Sequence, residues 1–420
     1  MDYEALELPP AGSTVLVGMS GGVDSTLTAL LLKQRGCRVI GVTMSLWDGH
    51  IPAKGESKSK HARESCYGPG EEENIAECEK FCAEQNIEYH VVDVHEEYNK
   101  KVLEYFKSEY RAGRTPNPCV MCNRNIKFGA MLEQIERLGI QYDYFCTGHY
   151  AKVVRPASGL FGTDARPAMI STAADLSKDQ TYFLYRVPST TLEKVRFPLA
   201  AVKKSEVFEL ARAAGLEAAN REESQDFIGQ EYFDDLFSDR PGIPGDIIDL
   251  DGHVLGRHKG VEHYTVGQRR GLGVAVNYPV YVHSIDAKNN LVVLAKEEDL
   301  YSDSLIADDF VWPGGVEPDA PFEALVKIRL ASKPVACTVE RYDGADAVES
   351  AGGSSQAQGA VDKKARQAQE KPDFVGTPWL IKFKEPQRAV APGQSAVVYK
   401  DNIIRGGGLI RVANRLRVSN

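Results

Sequence analysis

The order of strand and helix patterns in the N-terminal half constrains the fold of this chain most strongly. An apolar, β-rich run at residues 13–18 enters a turn of glycine and serine, and a helical pattern follows at 25–35. Further strand patterns lie at 38–44, 87–94 and 142–147, and helical patterns lie at 72–85, 98–109 and 126–138. Strands that alternate with helices form parallel βαβ units, whose ligands bind at the carboxyl ends of the strands. We therefore predict a doubly wound α/β domain over residues 1–202.

The rest of the 420 residues is long enough for further domains. A helical, charged stretch and a glycine-rich basic segment predict a small central domain over residues 203–277. After it, short alternating apolar runs separated by Asn, Asp, Gly and Pro are typical of an antiparallel β-barrel, which we place at 278–420. Residues 344–373 almost lack large apolar side chains, so we predict a disordered insertion between two barrel strands.

Net charge and cysteine content restrict the partners and the cellular compartment that we expect for this chain. Fifty Lys plus Arg against 59 Asp plus Glu give a formal net charge of -9, so a nucleic acid would have to bind a local basic face. The run 257–270 is such a candidate, and it is equally compatible with a solvated loop. No stretch reaches the ~18 apolar residues of a membrane helix, and the start lacks signal-peptide features. We expect a cytosolic protein without a membrane partner, in which eight cysteines are not a disulfide framework.

The turn between the first strand and the first helix is a candidate phosphate site. Gly21 and Gly22 allow a tight turn that presents backbone N–H groups, and Ser20 and Ser25 add hydroxyl donors at a helix N-terminus. No lysine follows the glycines, so this is not the Walker pattern. The simpler alternative is a glycine-rich turn in which Asp24 or Ser25 only caps the helix.

A second candidate site contains two cysteines three residues apart. Pro116 and Pro118 keep the approach extended, and Asn123 is expected to cap a following helix, which would place Cys122 near a helix N-terminus where thiolate is favoured. A structural zinc site would need two more ligands at comparable spacing, and the sequence has no second C-x-x-C and no H-x-x-x-H. The pair of Cys119 and Cys122 therefore predicts reactive thiols.

Seven motifs occur along the chain in the order found in the tRNA-specific 2-thiouridylases, a family of PP-loop ATP pyrophosphatases. They are GMSGGVDS, RTPNPCVMCNRNIKFG, TGHYA, SKDQTYFLY, ESQDF, YTVGQRRGLG and APGQSAVVYKDNIIRGGG. The resemblance implies an enzyme that uses ATP to adenylate the C2 oxygen of the wobble uridine of tRNA and then replaces that oxygen by sulfur. It also implies a PP-loop domain, a small central domain and a C-terminal β-barrel.

The resemblance further implies roles for single residues. The ATP site would consist of Gly18, Met19, Ser20, Gly21, Gly22, Val23, Asp24, Ser25, Met44 and Gly148. Asp24 would help to place Mg²⁺, and Met44 would lie against the adenine. Cys122 corresponds to the nucleophile of the family, with Cys119 as its catalytic partner. The tRNA-binding positions would be Asn117, Pro118 and Cys119 at the target base, with Lys178, Asp179, Gln180, His149, Arg329 and Gln394 elsewhere on the tRNA.

Two departures from the family pattern concern the path of the sulfur. Cys119 stands where the family has Asp, and Ile228 stands where it has a second, persulfide-carrying cysteine. In one alternative, Cys119 and Cys122 form a persulfide relay that ends in a disulfide. In the other, they ligate a [4Fe–4S] cluster with a third cysteine, as in other PP-loop tRNA thiolases. Cys66 and Cys146 are the candidates, and Cys66 is favoured because its long loop can reach inward.

A departure also affects one tRNA contact, since Leu330 and Ala331 replace the aromatic and basic residues usual after Arg329. The sulfur donor is expected to be a cysteine desulfurase or a sulfur relay carrier. Two alternatives to a thiouridylase stay open at this point. One is a catalytically silent tRNA-binding homologue, and the other is a PP-loop ligase acting on a small metabolite.

Overall fold

The computed structural model describes residues 2–49, 65–220, 226–229, 232–344 and 374–415. Apart from Gly344, the predicted insertion at 344–373 lies outside the described residues, as do Ser224 and Gln225 of the SQD motif. Within the described part of the chain, no helix is long and apolar enough to cross a membrane.

A five-stranded parallel sheet forms the centre of the N-terminal half. The strands of this half are β1 (Tyr3–Ala5), β2 (Thr14–Gly18), β3 (Arg38–Ser45), β4 (Ser65–Tyr67), β5 (Glu88–Asp93), β6 (Tyr144–Thr147), β7 (Ala151–Pro156), β8 (Met169–Thr172), β9 (Val195–Arg196) and β10 (Asp226–Ile228). The parallel sheet has the order β5-β3-β2-β6-β9. Val15, Leu16 and Val17 of β2 are fully buried because helices cover both faces of such a sheet. The predicted α/β domain is confirmed.

The helices connect these strands. They are α1 (Val23–Gln34), α2 (Glu71–Glu84), α3 (His95–Tyr98), α4 (Glu104–Arg111), α5 (Pro118–Cys122), α6 (Met131–Arg137), α7 (Thr181–Leu184), α8 (Ser189–Leu192), α9 (Lys204–Ala213) and α10 (Phe233–Leu236). Two π-helical segments, Asn99–Leu103 and Asn123–Ala130, join α3 to α4 and α5 to α6. Such segments are frequent at functional sites, and the second one directly follows the two candidate cysteines.

A four-stranded sheet forms the central domain. Its strands are β11 (Gly245–Ile248), β12 (Val254–His258), β13 (Tyr281–Asp286) and β14 (Leu291–Ala295), in the order β12-β11-β14-β13. The predicted boundary between residues 277 and 278 lies within this sheet, because β14 pairs with β11, which precedes the boundary, and β13 pairs with β14. A strand pattern gives the position of a strand but not its partner. At the other predicted boundary, α9 packs against α1 of the N-terminal domain.

The C-terminal domain is a closed antiparallel barrel, as predicted. Its strands are β15 (Tyr301–Val311), β16 (Phe322–Lys327), β17 (Val335–Arg341), β18 (Trp379–Arg388), β19 (Ser395–Lys400) and β20 (Ile403–Arg415). They follow the order β20-β15-β18-β17-β16-β19, and the pairing of β19 with β20 closes the barrel. Strand β20 also pairs with β8 of the N-terminal half, so the barrel is joined directly to the domain that contains both candidate sites.

Candidate functional site

The turn after β2 has the geometry of an anion-binding loop. Gly21 has a φ of +75°, a conformation that favours glycine. The Ser25 hydroxyl donates to the Gly22 carbonyl at 3.0 Å, accepts from the Ser20 backbone N–H at 3.2 Å and lies 3.2 Å from the Ser20 hydroxyl. Helix α1 begins directly after Gly22. The turn thus places hydroxyl groups and a helix N-terminus at the carboxyl end of the central strand, where a phosphate is favoured.

Asp24 lies in the first turn of α1 and is held by two residues that the sequence did not single out. The Lys204 ammonium donates to its two carboxylate oxygens at 2.7 Å and 2.8 Å, and the Tyr150 hydroxyl donates to one of them at 2.8 Å. Lys204 is only 6% exposed. The carboxylate predicted to help place Mg²⁺ therefore has a buried cation as its partner in this structure.

Gly148 approaches the same loop so closely that only glycine fits. A Cβ atom at this position would lie 2.7 Å from the Asp24 carbonyl carbon and 2.8 Å from the Ser25 nitrogen. The next residue, His149, makes a 2.6 Å hydrogen bond between its Nδ1 and the Thr147 hydroxyl. Burial, with a smaller contribution from Lys127, holds the pKa of His149 well below its usual value. The imidazole is therefore neutral near pH 7.

The helix that carries the cysteine pair begins earlier than predicted. Pro118 is the first residue of α5, and the side chain of Asn117 accepts a hydrogen bond from the Val120 N–H at 3.4 Å. The prediction that Asn123 caps the helix is wrong, because its amide donates to the Phe183 carbonyl instead. Pro118 is suited to a first helical position because its φ is already fixed. Cys122 consequently ends α5 and does not lie at a helix N-terminus.

Three thiols interact electrostatically beside this helix. Burial, followed by the thiols of Cys66 and Cys122, raises the pKa of Cys119 to about 12. Burial also raises the pKa of Cys122 to about 11, against the opposing charge of Lys127. Cys66 keeps accessible surface, yet desolvation by the surrounding protein raises the pKa of its thiol, and Lys127 lowers it. Near pH 7 all three are neutral thiols, and Lys127 is a cation that acts on each of them.

Cys66 lies in β4, which pairs in parallel with β10. The register places Ile228 opposite Tyr67 and Asp226 opposite Ser65. The residue that replaces the second cysteine of the family is therefore in the strand next to Cys66. Tyr67 stacks on Tyr98 with ring centroids 5.4 Å apart, and this ring packing supports the short strand pair.

Cys146, the other candidate third ligand, occupies a different environment. It is fully buried on β6 in an apolar cluster that also contains Cys37, Cys78 and Cys82. Burial raises its pKa. Cys122, in contrast, packs against the separate cluster that contains Tyr67 and Tyr98.

Several residues predicted to contact tRNA make internal contacts. The Gln180 side chain accepts from the Tyr150 N–H at 2.9 Å, and Asp179 accepts from the backbone N–H groups of Ala173 and Thr181. Lys178 lies half-buried in the same loop. This loop therefore supports the segment that follows Gly148.

Two predicted tRNA-binding residues of the barrel also bond to protein atoms. The Arg329 guanidinium donates to the carbonyls of Val266 and Ala389 at 2.7 Å and 2.9 Å, and so links the central domain to the barrel. Gln394 donates to the carbonyls of Thr115 and Pro116, just before α5. Met44, at the end of β3, is partly buried against the main core of the N-terminal domain.

Tyr150, Lys127 and Lys204 belong to the site but were not predicted, and a sequence pattern was available for the first two only. Tyr150 lies in the TGHYA motif and Lys127 lies in the cysteine motif, five residues after Cys122, so their proximity to the site could have been inferred. Lys204 is 180 residues away from Asp24 along the chain. No local pattern links the two residues, and only the packing of α9 on α1 brings them together.

Comparisons with known proteins agree with this geometry. Residues 13–230 match the tRNA methyl transferase HUP domain family, residues 234–296 match the tRNA methyl transferase PRC-barrel domain family, and residues 352–410 match the Aminomethyltransferase beta-barrel domain family. A solved complex of a 4-thiouridine synthetase with RNA and ATP is 17% identical, covers 53% of this chain and 47% of its own, and has a TM-score of 0.31, too low to inform the site.

Curated relatives match almost the whole chain. The tRNA-specific 2-thiouridylase MnmA of Endomicrobium trichonymphae is 40% identical over 94% of this chain and 98% of its own length. The enzyme of the same name from Roseiflexus sp. (strain RS-1) is 38% identical, with the same coverage of both chains. The chain therefore belongs to the tRNA-specific 2-thiouridylase family.

Proposed function

We propose that this protein is a tRNA-specific 2-thiouridylase in which Cys66, Cys119 and Cys122 form one sulfur-transfer centre. Family membership supports the formation of 2-thiouridine in tRNA, since the relatives carry that activity in their names. Geometry supports the three-cysteine centre, because Cys119 and Cys122 lie in α5, the strand of Ile228 pairs with that of Cys66, and Ile228 belongs to the cluster against which Cys122 packs. The thiol of Cys66 also raises the pKa of Cys119 and of Cys122. This centre would supply the thiol that the family has at the position occupied here by Ile228.

ATP activates the uridine in this proposal. The C2 carbonyl is a poor electrophile, so its oxygen first attacks the α-phosphorus of ATP and pyrophosphate leaves. The polyphosphate would lie on the loop from Gly18 to Ser25, which also contains Met19 and Val23, with the adenine against Met44. Gly148 would close over the nucleotide. The close approach of Gly148 to Asp24 and the loop hydroxyl groups support this placement.

Asp24 is the proposed ligand for the Mg²⁺ that accompanies ATP. A carboxylate oxygen is a preferred ligand of Mg²⁺, and Asp24 lies in the first turn of the helix after the phosphate loop. Its oxygens accept hydrogen bonds from Lys204 and Tyr150. A carboxylate oxygen can accept more than one bond, so Mg²⁺ would bind Asp24 beside Lys204, whose ammonium would then lie close to the bound phosphates.

The wobble uridine must leave the anticodon stack to reach the cysteines, as base-modifying chemistry generally requires. Its base would contact Asn117, Pro118 and Cys119. Lys178, Asp179 and Gln180 would contact the tRNA, as would His149 and Arg329, by their positions in the family motifs. The motif implies the same for Gln394, but its amide bonds to the Thr115 and Pro116 carbonyls. A tRNA substrate would also place the enzyme in the cytoplasm.

A persulfide route needs two of the three thiols. The terminal sulfur of a persulfide on one cysteine attacks C2, and AMP leaves. The thiolate of the second cysteine then attacks the inner sulfur, which forms a disulfide and leaves the outer sulfur on C2. A cellular reductant must restore the two thiols before the next turnover.

A cluster route uses the same three residues. Three cysteine thiols are the donor set that a [4Fe–4S] cluster with one iron not ligated by the protein requires. When bound, such a cluster would offer that iron to a sulfide. In either route, the accessible surface of Cys66 makes it the candidate entry point for sulfur from a cysteine desulfurase or a relay carrier.

The test combines metal analysis with activity. We would purify the wild type, Cys66→Ala and Cys146→Ala without oxygen, and measure iron, acid-labile sulfide, the visible spectrum and tRNA thiolation. Cys66→Ala should lose at least about tenfold in thiolation, together with any cluster. Cys146→Ala is the matched control because its thiol is buried in a separate cluster. Iron-free protein that still thiolates tRNA would favour the persulfide route.

Other outcomes contradict the proposal. Wild-type thiolation by Cys122→Ser or by Cys66→Ala would exclude the three-cysteine centre. A silent tRNA-binding homologue predicts no tRNA-dependent exchange between ATP and pyrophosphate. A ligase for a small metabolite predicts AMP formation without tRNA.

A further inference from the structure

We infer that the barrel turn at residues 392–394 is part of the reactive centre, and that Gln394 positions the segment that carries Cys119 and Cys122. This inference rests on the proposed role of these cysteines and assigns Gln394 a role different from the tRNA contact implied by the family. Two independent sets of contacts carry it.

The first set consists of hydrogen bonds across the boundary between the domains. The Thr115 N–H donates to the Pro392 carbonyl at 2.8 Å. The Gln394 amide nitrogen donates to the carbonyls of Thr115 and Pro116 at 3.1 Å and 3.2 Å. Residues 115 and 116 directly precede Asn117, which caps α5. The barrel therefore holds the last residues before the cysteine helix through three hydrogen bonds.

Both the nitrogen and the oxygen of the Gln394 amide lie against protein atoms. A carboxamide has two N–H donors, and each has a carbonyl acceptor within the protein. Its oxygen lies 3.4 Å from the Tyr182 hydroxyl, which donates its one proton to the Ser395 carbonyl at 3.0 Å. A contact between this amide and tRNA would have to break bonds that hold the cysteine segment.

The second set is steric. Gly393 has a φ of +90°, and a Cβ atom there would lie 2.8 Å and 2.9 Å from the backbone nitrogen and oxygen of Thr115. The turn is itself fixed to β20, because the Gly393 N–H donates to the Ile410 carbonyl and the Ile410 N–H donates to the Gln394 carbonyl, both at 2.8 Å. The barrel turn and the cysteine segment are thus in direct backbone contact.

Charged residues reinforce this junction. Arg114, immediately before the segment, donates to both carboxylate oxygens of Glu109, which is 7% exposed. Arg411 of β20 pairs with Asp308 at 2.6 Å and lies 3.8 Å from Glu109. Bidentate and shared pairs of this kind fix orientation. The residues from Arg114 to Pro118 therefore have little freedom to move relative to the barrel.

The geometry has a consequence for catalysis. Pro116 and Pro118 stiffen the backbone, so a shift at Thr115 is transmitted to α5 and its thiols. A displacement of about 1 Å at a reacting group can lower a rate on the order of a hundredfold. Loss of the Gln394 bonds should therefore lower kcat without weakening the binding of tRNA.

The test compares Gln394→Glu with Gln387→Glu. The first substitution keeps the size of the side chain but opposes a carboxylate to two carbonyls. The second makes the same change in the same barrel at an amide that donates to the nearby Glu385 carbonyl. We would measure kcat and KM for thiolation of tRNA, the tRNA dissociation constant, and the rates at which iodoacetamide alkylates Cys119 and Cys122.

Gln394→Glu should lower kcat on the order of 10- to 100-fold, change the alkylation rates of both cysteines severalfold, and leave the tRNA dissociation constant within about twofold. Gln387→Glu should match the wild type in all three. An unchanged kcat with a tRNA dissociation constant weakened tenfold or more would identify Gln394 as a tRNA contact and overturn the inference.

A second variant tests the backbone contact between the barrel turn and Thr115. Gly393→Ala keeps the Gln394 side chain but places a methyl group against Thr115, and it should change kcat and alkylation in the same way. Wild-type values for a folded Gly393→Ala would contradict the inference. If the wild type forms no 2-thiouridine, the proposed function fails, but the alkylation rates still test whether the barrel turn positions the cysteines.

Discussion

The ammonium nitrogen of Lys204 lies 2.7 Å and 2.8 Å from the two carboxylate oxygens of Asp24, and joins α9 to the first turn of α1. Only 8% of the Lys204 side chain and 28% of the Asp24 side chain is exposed. Because removal of one partner leaves the other charge poorly solvated, this pair links the stability of the N-terminal domain to the phosphate loop.

We predict that Lys204→Met lowers tRNA-dependent release of pyrophosphate from ATP by at least about tenfold, since a cation beside a polyphosphate stabilises the developing charge. The same change should lower the free energy of unfolding by about 1–3 kcal/mol, because a partly buried carboxylate loses its partner. Rapid-quench assays and urea unfolding measure the two effects. Lys203→Met is the control, because Lys203 is the exposed neighbour. Equal rates for the two variants would contradict the prediction.

The sequence predicted those parts of the fold and site that depend on local patterns. The strand predicted at residues 38–44 is β3 (Arg38–Ser45), and the helix predicted at 72–85 is α2 (Glu71–Glu84). Apolar periodicity is a property of adjacent residues, so it is readable without the fold. The turn of glycine and serine lies between β2 and α1, as the local pattern predicted.

The pairing of segments that are distant in sequence could not be predicted from local patterns. The periodicity of residues 281–286 and 291–295 predicts strands, but does not indicate that they join the central sheet and not the barrel. Similarly, the sequence predicted Asn123 as the helix cap near the cysteine pair. The structure uses Asn117, since Pro118 can begin a helix but cannot continue one.

The three thiols should be slow to alkylate near pH 7. With pKa values raised to about 12 for Cys119 and about 11 for Cys122, the thiolate fraction rises about tenfold per pH unit from pH 8 to 10. We predict that Lys127→Met slows alkylation at pH 9 severalfold, because it removes the cation that favours the thiolates. Lys101→Met is the control, an exposed lysine in the other π-helical segment. Mass spectrometry of alkylated peptides gives the rates, and faster alkylation in Lys127→Met would contradict the prediction.

Two neutral, half-buried histidines should make the fold sensitive to acid. Burial lowers the pKa of His149 well below 6.5 and that of His283 to about 4. The unfolded chain takes up these protons first, so stability is present above pH 6.5 and is lost as the pH falls below it, by up to about 1.4 kcal/mol per pH unit for each histidine. His149→Gln should flatten the dependence of the unfolding free energy between pH 6.5 and 5. An unchanged slope would contradict the assignment.

The pairing of β4 with β10 suggests that the thiol of Cys66 can be moved to position 228. Ile228 lies in the strand beside Cys66, opposite Tyr67, and is 7% exposed. If Cys66 supplies the thiol that other family members place at position 228, then Ile228→Cys should partly restore thiolation to Cys66→Ala, while the single change in the wild-type background has little effect. A smaller buried side chain should cost about 1–3 kcal/mol of stability.

Ile228→Ala in the Cys66→Ala background is the control, because it makes a similar cavity without a thiol. Thiolation assays with a persulfide donor, followed by detection of a disulfide between Cys122 and residue 228, distinguish rescue from general loosening. Equal activity of the alanine and cysteine variants would show that a thiol at position 228 does not replace that of Cys66. Rescue by cysteine alone would mean that either strand of this pair can contribute the thiol. The function would then depend on the position of the sulfur in space and not on which residue carries it.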